Sequence, residues 1–96
     1  MELYIFARFH ARRGNEFALE QALQRVIVPT RQEAGCLSIQ LFRSTRDPRL
    51  FYIQSRWADE AAFDLHATLP HMEEFIPRAE SLIDHPLDVT RAEVIG

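Results

Sequence analysis

The chain has 96 residues, of which 47% are apolar and 26% charged, and it carries a net charge of −3. That length fits one domain spanning residues 1–96, and that composition excludes a disordered chain. A pI near 5.7 offers no general basic surface for nucleic acid or for an anionic membrane.

Cys36 is the only cysteine, which excludes an internal disulfide framework and a cysteine-based zinc site. The longest apolar run, Leu3–Ala7, is far short of the roughly 20 residues that span a membrane. Met1-Glu2 leads into a strand-like pattern without a basic and then apolar leader, so the expectation is a soluble, cytoplasmic protein.

Residues 3–10 alternate Leu3, Ile5, Ala7 and Phe9 against Tyr4, Phe6, Arg8 and His10, which predicts a strand with one face on a core and a mixed opposite face. Arg12-Arg13-Gly14-Asn15 breaks the pattern, with Asn15 as the expected N-cap and Glu16 suited to the positive end of a helix. Leu19, Ala22, Leu23, Val26, Ile27 and Thr30 then recur at helical spacing. Pro29 is expected to kink that helix or begin a new turn, and Gly35 to end it.

Leu37, Ile39 and Leu41 alternate with Ser38, Gln40 and Phe42, the polar stretch 44–48 turns the chain, and Leu50–Trp57 reads as the returning strand of a hairpin. Asp59 is placed to cap a helix through Ala61, Ala62, Phe63, Leu65 and His66. Pro70 breaks that helix. A second helical pattern carries Met72, Phe75, Ile76, Ala79, Leu82 and Ile83, Pro86 closes it, and Val89–Val94 is expected as a final strand.

The order βαββαβ predicts an α+β, ferredoxin-like domain: a four-stranded antiparallel sheet with helices on one face. The other face has no helix of its own. A domain of this size hides only about two-thirds of its unfolded surface. A second copy packed sheet to sheet is therefore the expected cover, giving a homodimer.

Three segments carry a resemblance. Ile27-Val28-Pro29-Thr30-Arg31-Gln32-Glu33-Ala34-Gly35-Cys36-Leu37 resembles the P-x-R-x-E-x-G-C-L helix end of the antibiotic biosynthesis monooxygenase domain. Arg56-Trp57-Ala58-Asp59-Glu60-Ala61-Ala62-Phe63-Asp64-Leu65-His66 resembles its W-x-D-x-x-A-x-x-x-H stretch, and Leu69-Pro70-His71-Met72 resembles the turn that follows. The resemblance implies a dimeric α+β barrel whose members include quinol and polyphenol oxygenases working without metal or flavin, and relatives that degrade haem. In those relatives an Asn on the first strand joins the Trp and the His. Ala7, which aligns with it, cannot hydrogen-bond a substrate, so haem degradation is not the expectation.

Trp57 is expected to seal the strand–helix junction as a core aromatic, to form the wall of a pocket for a flat aromatic substrate, or both. His66 is either a histidine satisfied by backbone or a base whose pKa near neutrality lets it take a phenolic proton. Phe6 and Phe63 are expected to keep the pocket dry, and His71 to cap or line its mouth. Arg8 and Arg56 either anchor a substrate carboxylate or pair with acidic groups. The spacing of His66 and His71, with no third ligand evident beside them, argues against a metal, and His85 reads as a loop residue. Cys36 reads as a small buried hydrophobe.

Two functions follow. One is a cofactor-free monooxygenase with molecular oxygen as co-substrate, with His66 and Trp57 as its catalytic residues and Phe6, Arg8, Phe63 and His71 on the substrate. The other is a non-catalytic dimer that binds a small aromatic molecule or accompanies a pathway enzyme. A His66 ring open to a cavity favours the first; one closed off by packing and backbone bonds favours the second.

Overall fold

The alternation that opens the chain becomes strand β1 (Leu3–His10) in the computed structural model, which describes all 96 residues. Leu3, Ile5, Ala7 and Phe9 are buried, and Tyr4, Phe6, Arg8 and His10 occupy the opposite face, as a period of two requires. Helix α1 (Glu16–Arg31), strands β2 (Cys36–Arg43) and β3 (Leu50–Trp57), helices α2 (Glu60–His66) and α3 (Pro70–Leu82) and strand β4 (Asp88–Ala92) follow. The strands pair antiparallel throughout in the order β2-β3-β1-β4, the ferredoxin-like arrangement the pattern predicts. No helix is long and apolar enough to cross a membrane.

Several local expectations change. Asn15 makes no side-chain cap; Glu16 turns back instead, and its Oε1 accepts the Gly14 N–H at 2.6 Å, with Gly14 at a φ of +91° that favours glycine. Helix α1 runs through Pro29, because a proline in the last turn removes only one bond to a carbonyl near the exposed end. The Thr30 hydroxyl donates to the Val26 carbonyl at 2.7 Å. Ile83 lies outside α3 and bridges Ala11, and β4 ends at Ala92, opposite Tyr4. Asp59 caps α2 as expected, accepting the Ala62 N–H at 2.8 Å.

The main core lies between the sheet and helices α1 and α3, built on Phe9, Leu19, Leu23, Ile27, Phe51 and Ala79. A smaller cluster of Leu3, Ile5 and Trp57 sits beneath α2 with Ala62 and Phe63. On the helix-free face, Phe6 is 47% exposed, Phe42 48% and Tyr52 37%. At the far end of β1, His10 meets Asp47 and Asp84, and its hydrogen bond is the chief reason the Asp84 carboxyl is held down to about 2.

Candidate active site

The turn after α1 and the two helices beyond β3 close on one another at Gly35. A Cβ there would stand 2.4 Å from the Ala62 Cβ, so only glycine lets the turn lie this close to α2. The Ala58 N–H donates to the Gly35 carbonyl at 2.9 Å and holds the approach. Gly35 is therefore required for space; the helix has already ended at Arg31, so the expected role of terminator does not apply. Gly35→Ala should cost about 1–3 kcal/mol by overpacking, read as a shift in urea midpoint with an unchanged m-value.

That closure brings Glu33 onto His66. Glu33 Oε2 accepts from His66 Nδ1 at 2.7 Å and from His71 Nε2 at 2.7 Å. Side-chain exposure is 7% for His66, 11% for Glu33 and 22% for His71, so the cluster runs from the interior towards the surface. A carboxylate bonded at Nδ1 fixes the proton there and leaves Nε2 as the acceptor. Burial pushes the His66 pKa below the ordinary 6.5, more than the hydrogen bond from Glu33 raises it, so the ring is neutral at neutral pH.

Trp57 is 1% exposed, and its indole packs on His66 with ring centroids 4.6 Å apart. Its Nε1–H donates to Ser55 Oγ at 2.9 Å, which leaves the Ser55 hydroxyl proton free to donate elsewhere. Phe63 meets the Trp57 ring edge-on at 5.5 Å and is covered from outside by the Arg91 guanidinium, 5.1 Å from the ring centroid. Arg91 is itself bound to Asp64 at 2.7 Å.

A cavity of about 70 Å³ lies between the sheet and the helices. Its walls are almost wholly apolar, with Ala7, Ile53, Phe63, Met72 and Ile76 among them, and its polar members are Thr30, Ser55 and His66. His66 lines it and Glu33 does not, and with Nδ1 held by Glu33 the ring nitrogen left without a protein partner is Nε2. The volume is well below the roughly 300–1,000 Å³ of drug-sized ligand pockets. It holds nothing as large as haem and accommodates O₂ or a few waters.

Of the expected site residues, the structure brings His66 and Phe63 together on this cavity. Phe6 and Arg8 are corrected: strand alternation puts both on the outer face, with the sheet between them and His66. Trp57 stands behind His66 rather than on the cavity wall, its indole packed on the imidazole. His71 lines a surface groove between α1 and α3, shares Glu33 with His66 and has its ring centroid 6.0 Å from that of His66. A third potential ligand does stand beside His66 and His71, since Glu33 folds onto both, although its oxygen sits at hydrogen-bond distance from each ring. Arg56 pairs with Glu2 of its own chain at 3.0 Å, and burial pushes the Cys36 thiol up, leaving it unreactive.

Glu33, Ser55 and Thr30 escape a reading by residue type alone. Glu33 is nonetheless the acidic residue of the P-x-R-x-E-x-G-C-L segment, and Gly35 and Ala62 are the small residues of the first two segments. The resemblance thus has a physical content: the small residues touch and the acid bonds the histidine.

A model of the family described as antibiotic biosynthesis monooxygenase matches residues 3–78. The chain belongs to that family. It is 28% identical over 92 residues to "Putative monooxygenase YcnE" of Bacillus subtilis, covering 96% of this chain and 95% of that one. It is 33% identical over 86 residues to "Putative monooxygenase Rv0793" of Mycobacterium tuberculosis, covering 90% and 84%. The solved structure of Rv0793 superposes with a TM-score of 0.94 at 28% identity over 100% of this chain and 97% of that one. PA3566 of Pseudomonas aeruginosa gives 0.91 at 30% identity over 99% and 95%. Membership in the family makes this a monooxygenase-like protein.

Proposed function

We propose that the chain is a cofactor-independent monooxygenase acting on a hydroquinone, a polyphenol or a similar electron-rich phenol, with O₂ as co-substrate and no metal, flavin or haem taking part in the reaction. The supporting observation is His66: a neutral imidazole anchored at Nδ1 by Glu33, with Nε2 unpartnered and the residue lining an apolar cavity. An imidazole held at one nitrogen by a carboxylate and left unpartnered at the other is the arrangement of a general base. The bond to Glu33, rather than to backbone, therefore favours the enzyme.

In this reading Nε2 of His66 takes the phenolic proton as an electron leaves the ring for O₂. Losing the electron acidifies the phenol, so a base of lowered pKa suffices. One oxygen atom joins a ring carbon and the other leaves as water, with protons returned through His66. All four electrons come from the substrate, which passes from hydroquinone to hydroxyquinone. The Ser55 hydroxyl is the remaining donor on the cavity and is suited to a substrate oxygen. A single ring enters only if side chains of the cavity wall part, because the resting space is too small.

The pH profile tests the assignment. Neutral His66 is the active form, so kcat/KM should rise with pH and level off, with its midpoint below 6.5 because burial lowers the pKa. Glu33 holds that pKa up, so Glu33→Gln should move the midpoint lower still and cut the plateau by about 10-fold or more. A Glu33→Gln profile that superposes on the wild type removes Glu33 from the mechanism.

The same proposal includes a homodimer formed through the outer sheet face, where Phe6, Phe42 and Tyr52 are left without a helix. Covering that apolar area is worth about 25 cal/mol per Å² before association costs. Sedimentation at micromolar concentration should give twice the chain mass, and Phe42→Asp should shift it towards the monomer. A folded wild-type monomer under those conditions contradicts the dimer.

A further inference from the structure

Strand β1 carries Leu3 opposite Trp57 at one end and His10 at the other, on the order of 20 Å away. Two other segments fold onto His10. The β2–β3 loop brings Asp47, whose Oδ2 lies 3.0 Å from His10 Nε2. The segment after α3 brings Asp84 and His85, fixed by the Asp84 N–H, which donates to the His10 carbonyl at 3.0 Å. Asp84 Oδ1 stands 2.8 Å from His10 Nδ1 and 2.6 Å from His85 Nδ1. The two imidazoles meet edge to face at 5.4 Å.

We propose that His10 Nδ1, Asp84 Oδ1 and His85 Nδ1 form a site for one divalent first-row transition ion, with zinc the representative. The three donor atoms lie within 4.8 Å of one another. Tetrahedral Zn²⁺ with bonds of about 2.0–2.1 Å needs its ligand atoms about 3.4 Å apart, so a shift of under roughly 1 Å admits the ion. Two imidazole nitrogens and one carboxylate oxygen are a ligand set that such ions favour over Mg²⁺ or Ca²⁺. The partial exposure of Asp84 and His85 leaves room for water in the remaining coordination positions.

Asp47 carries the proposal beyond a cluster of suitable residue types. A metal-bound histidine characteristically gives its other ring N–H to a carboxylate, and Asp47 holds His10 in that way. An ion bound between His10 Nδ1 and Asp84 Oδ1 takes the place of the proton that joins them and releases it to solvent. Arg49 approaches Asp84 only at Oδ2, 3.7 Å away, and leaves the shared oxygen open. Glu33, His66 and His71 have comparable donor atoms, but neither imidazole there has a carboxylate behind its second nitrogen. Bound metal would tie together the end of β1, the β2–β3 loop and the segment after α3. The proposal is independent of the reaction at His66.

The test is calorimetric titration of the chelator-treated full chain with zinc sulfate, with magnesium sulfate as control. The expected result is one Zn²⁺ per chain with a Kd of about 10 μM or tighter, no magnesium binding, and a Tm raised by roughly 5 °C or more at saturation. Asp84→Asn and His85→Ala should each weaken zinc binding at least about 10-fold, and Asp47→Asn by about 10-fold through loss of orientation. His71→Ala should leave it unchanged. No binding at about 100 μM zinc overturns the proposal, as does binding that survives His85→Ala and is lost in His71→Ala.

Discussion

His66→Ala should lower oxygenase turnover by about 10²–10⁴-fold, the usual contribution of a positioned general base. The substitution deletes the only imidazole on the cavity, since His10, His71 and His85 all lie away from its walls. No neighbouring histidine is placed to take over the proton. The fold should survive, because Glu33 keeps its bond to His71 and so is not stranded as a buried unpaired carboxylate. A far-ultraviolet spectrum and an unfolding curve close to the wild type would establish that the loss is chemical. If His66→Ala retains the full rate on a substrate that the wild type turns over, the base is not His66 and this cavity is not where the phenol loses its proton.

Trp57→Ala should destabilise the domain by about 3–5 kcal/mol, a large share of the 5–15 kcal/mol typical of a whole domain. The indole is 1% exposed and wedged between His66 and Phe63, so its removal opens a cavity that its neighbours cannot readily fill. It also takes away the donor to Ser55 Oγ. The effect belongs to stability first and to kcat second, through a loosened His66, because the ring does not contact the space where a substrate would lie. Urea unfolding reads it directly. Trp57→Phe, which keeps one ring in place and loses the N–H with the rest of the indole, should cost less. Equal losses from the two substitutions would locate the energy in the Ser55 hydrogen bond and the part of the indole that phenylalanine lacks.

The strands and helices were legible in the sequence because their signals are local. Alternation in residues 3–10 reports the pleat directly, Asp59 caps the helix it precedes, and Pro70 occupies the first turn of α3, where its missing N–H costs nothing. The same alternation places Phe6 and Arg8 opposite Ile5 and Ala7. Assigning them to the pocket gave aromatic character precedence over strand geometry, and the geometry decides.

Glu33 could not be located from periodicity. It lies in a turn, and its partners His66 and His71 come near only when α2 and α3 fold back over α1. Gly35 reads locally as a helix terminator, whereas its constraint is the distance to Ala62 across the fold. Trp57 and His66 are legible as a pair in the W-x-D-x-x-A-x-x-x-H segment, but the nitrogen that His66 leaves unpartnered is set by Glu33. A single acidic side chain thus separates a buried, satisfied histidine from an oriented base.

Oxygen uptake by metal-stripped protein against a panel of hydroquinones tests the central claim most directly. The wild type should consume one O₂ per hydroquinone converted, at a rate unchanged by chelator and levelling off above a midpoint below pH 6.5. His66→Ala, folded to the same extent, should show almost none. A wild type that consumes no oxygen with any member of the panel, or one whose activity appears only on adding a metal or flavin, would contradict the account.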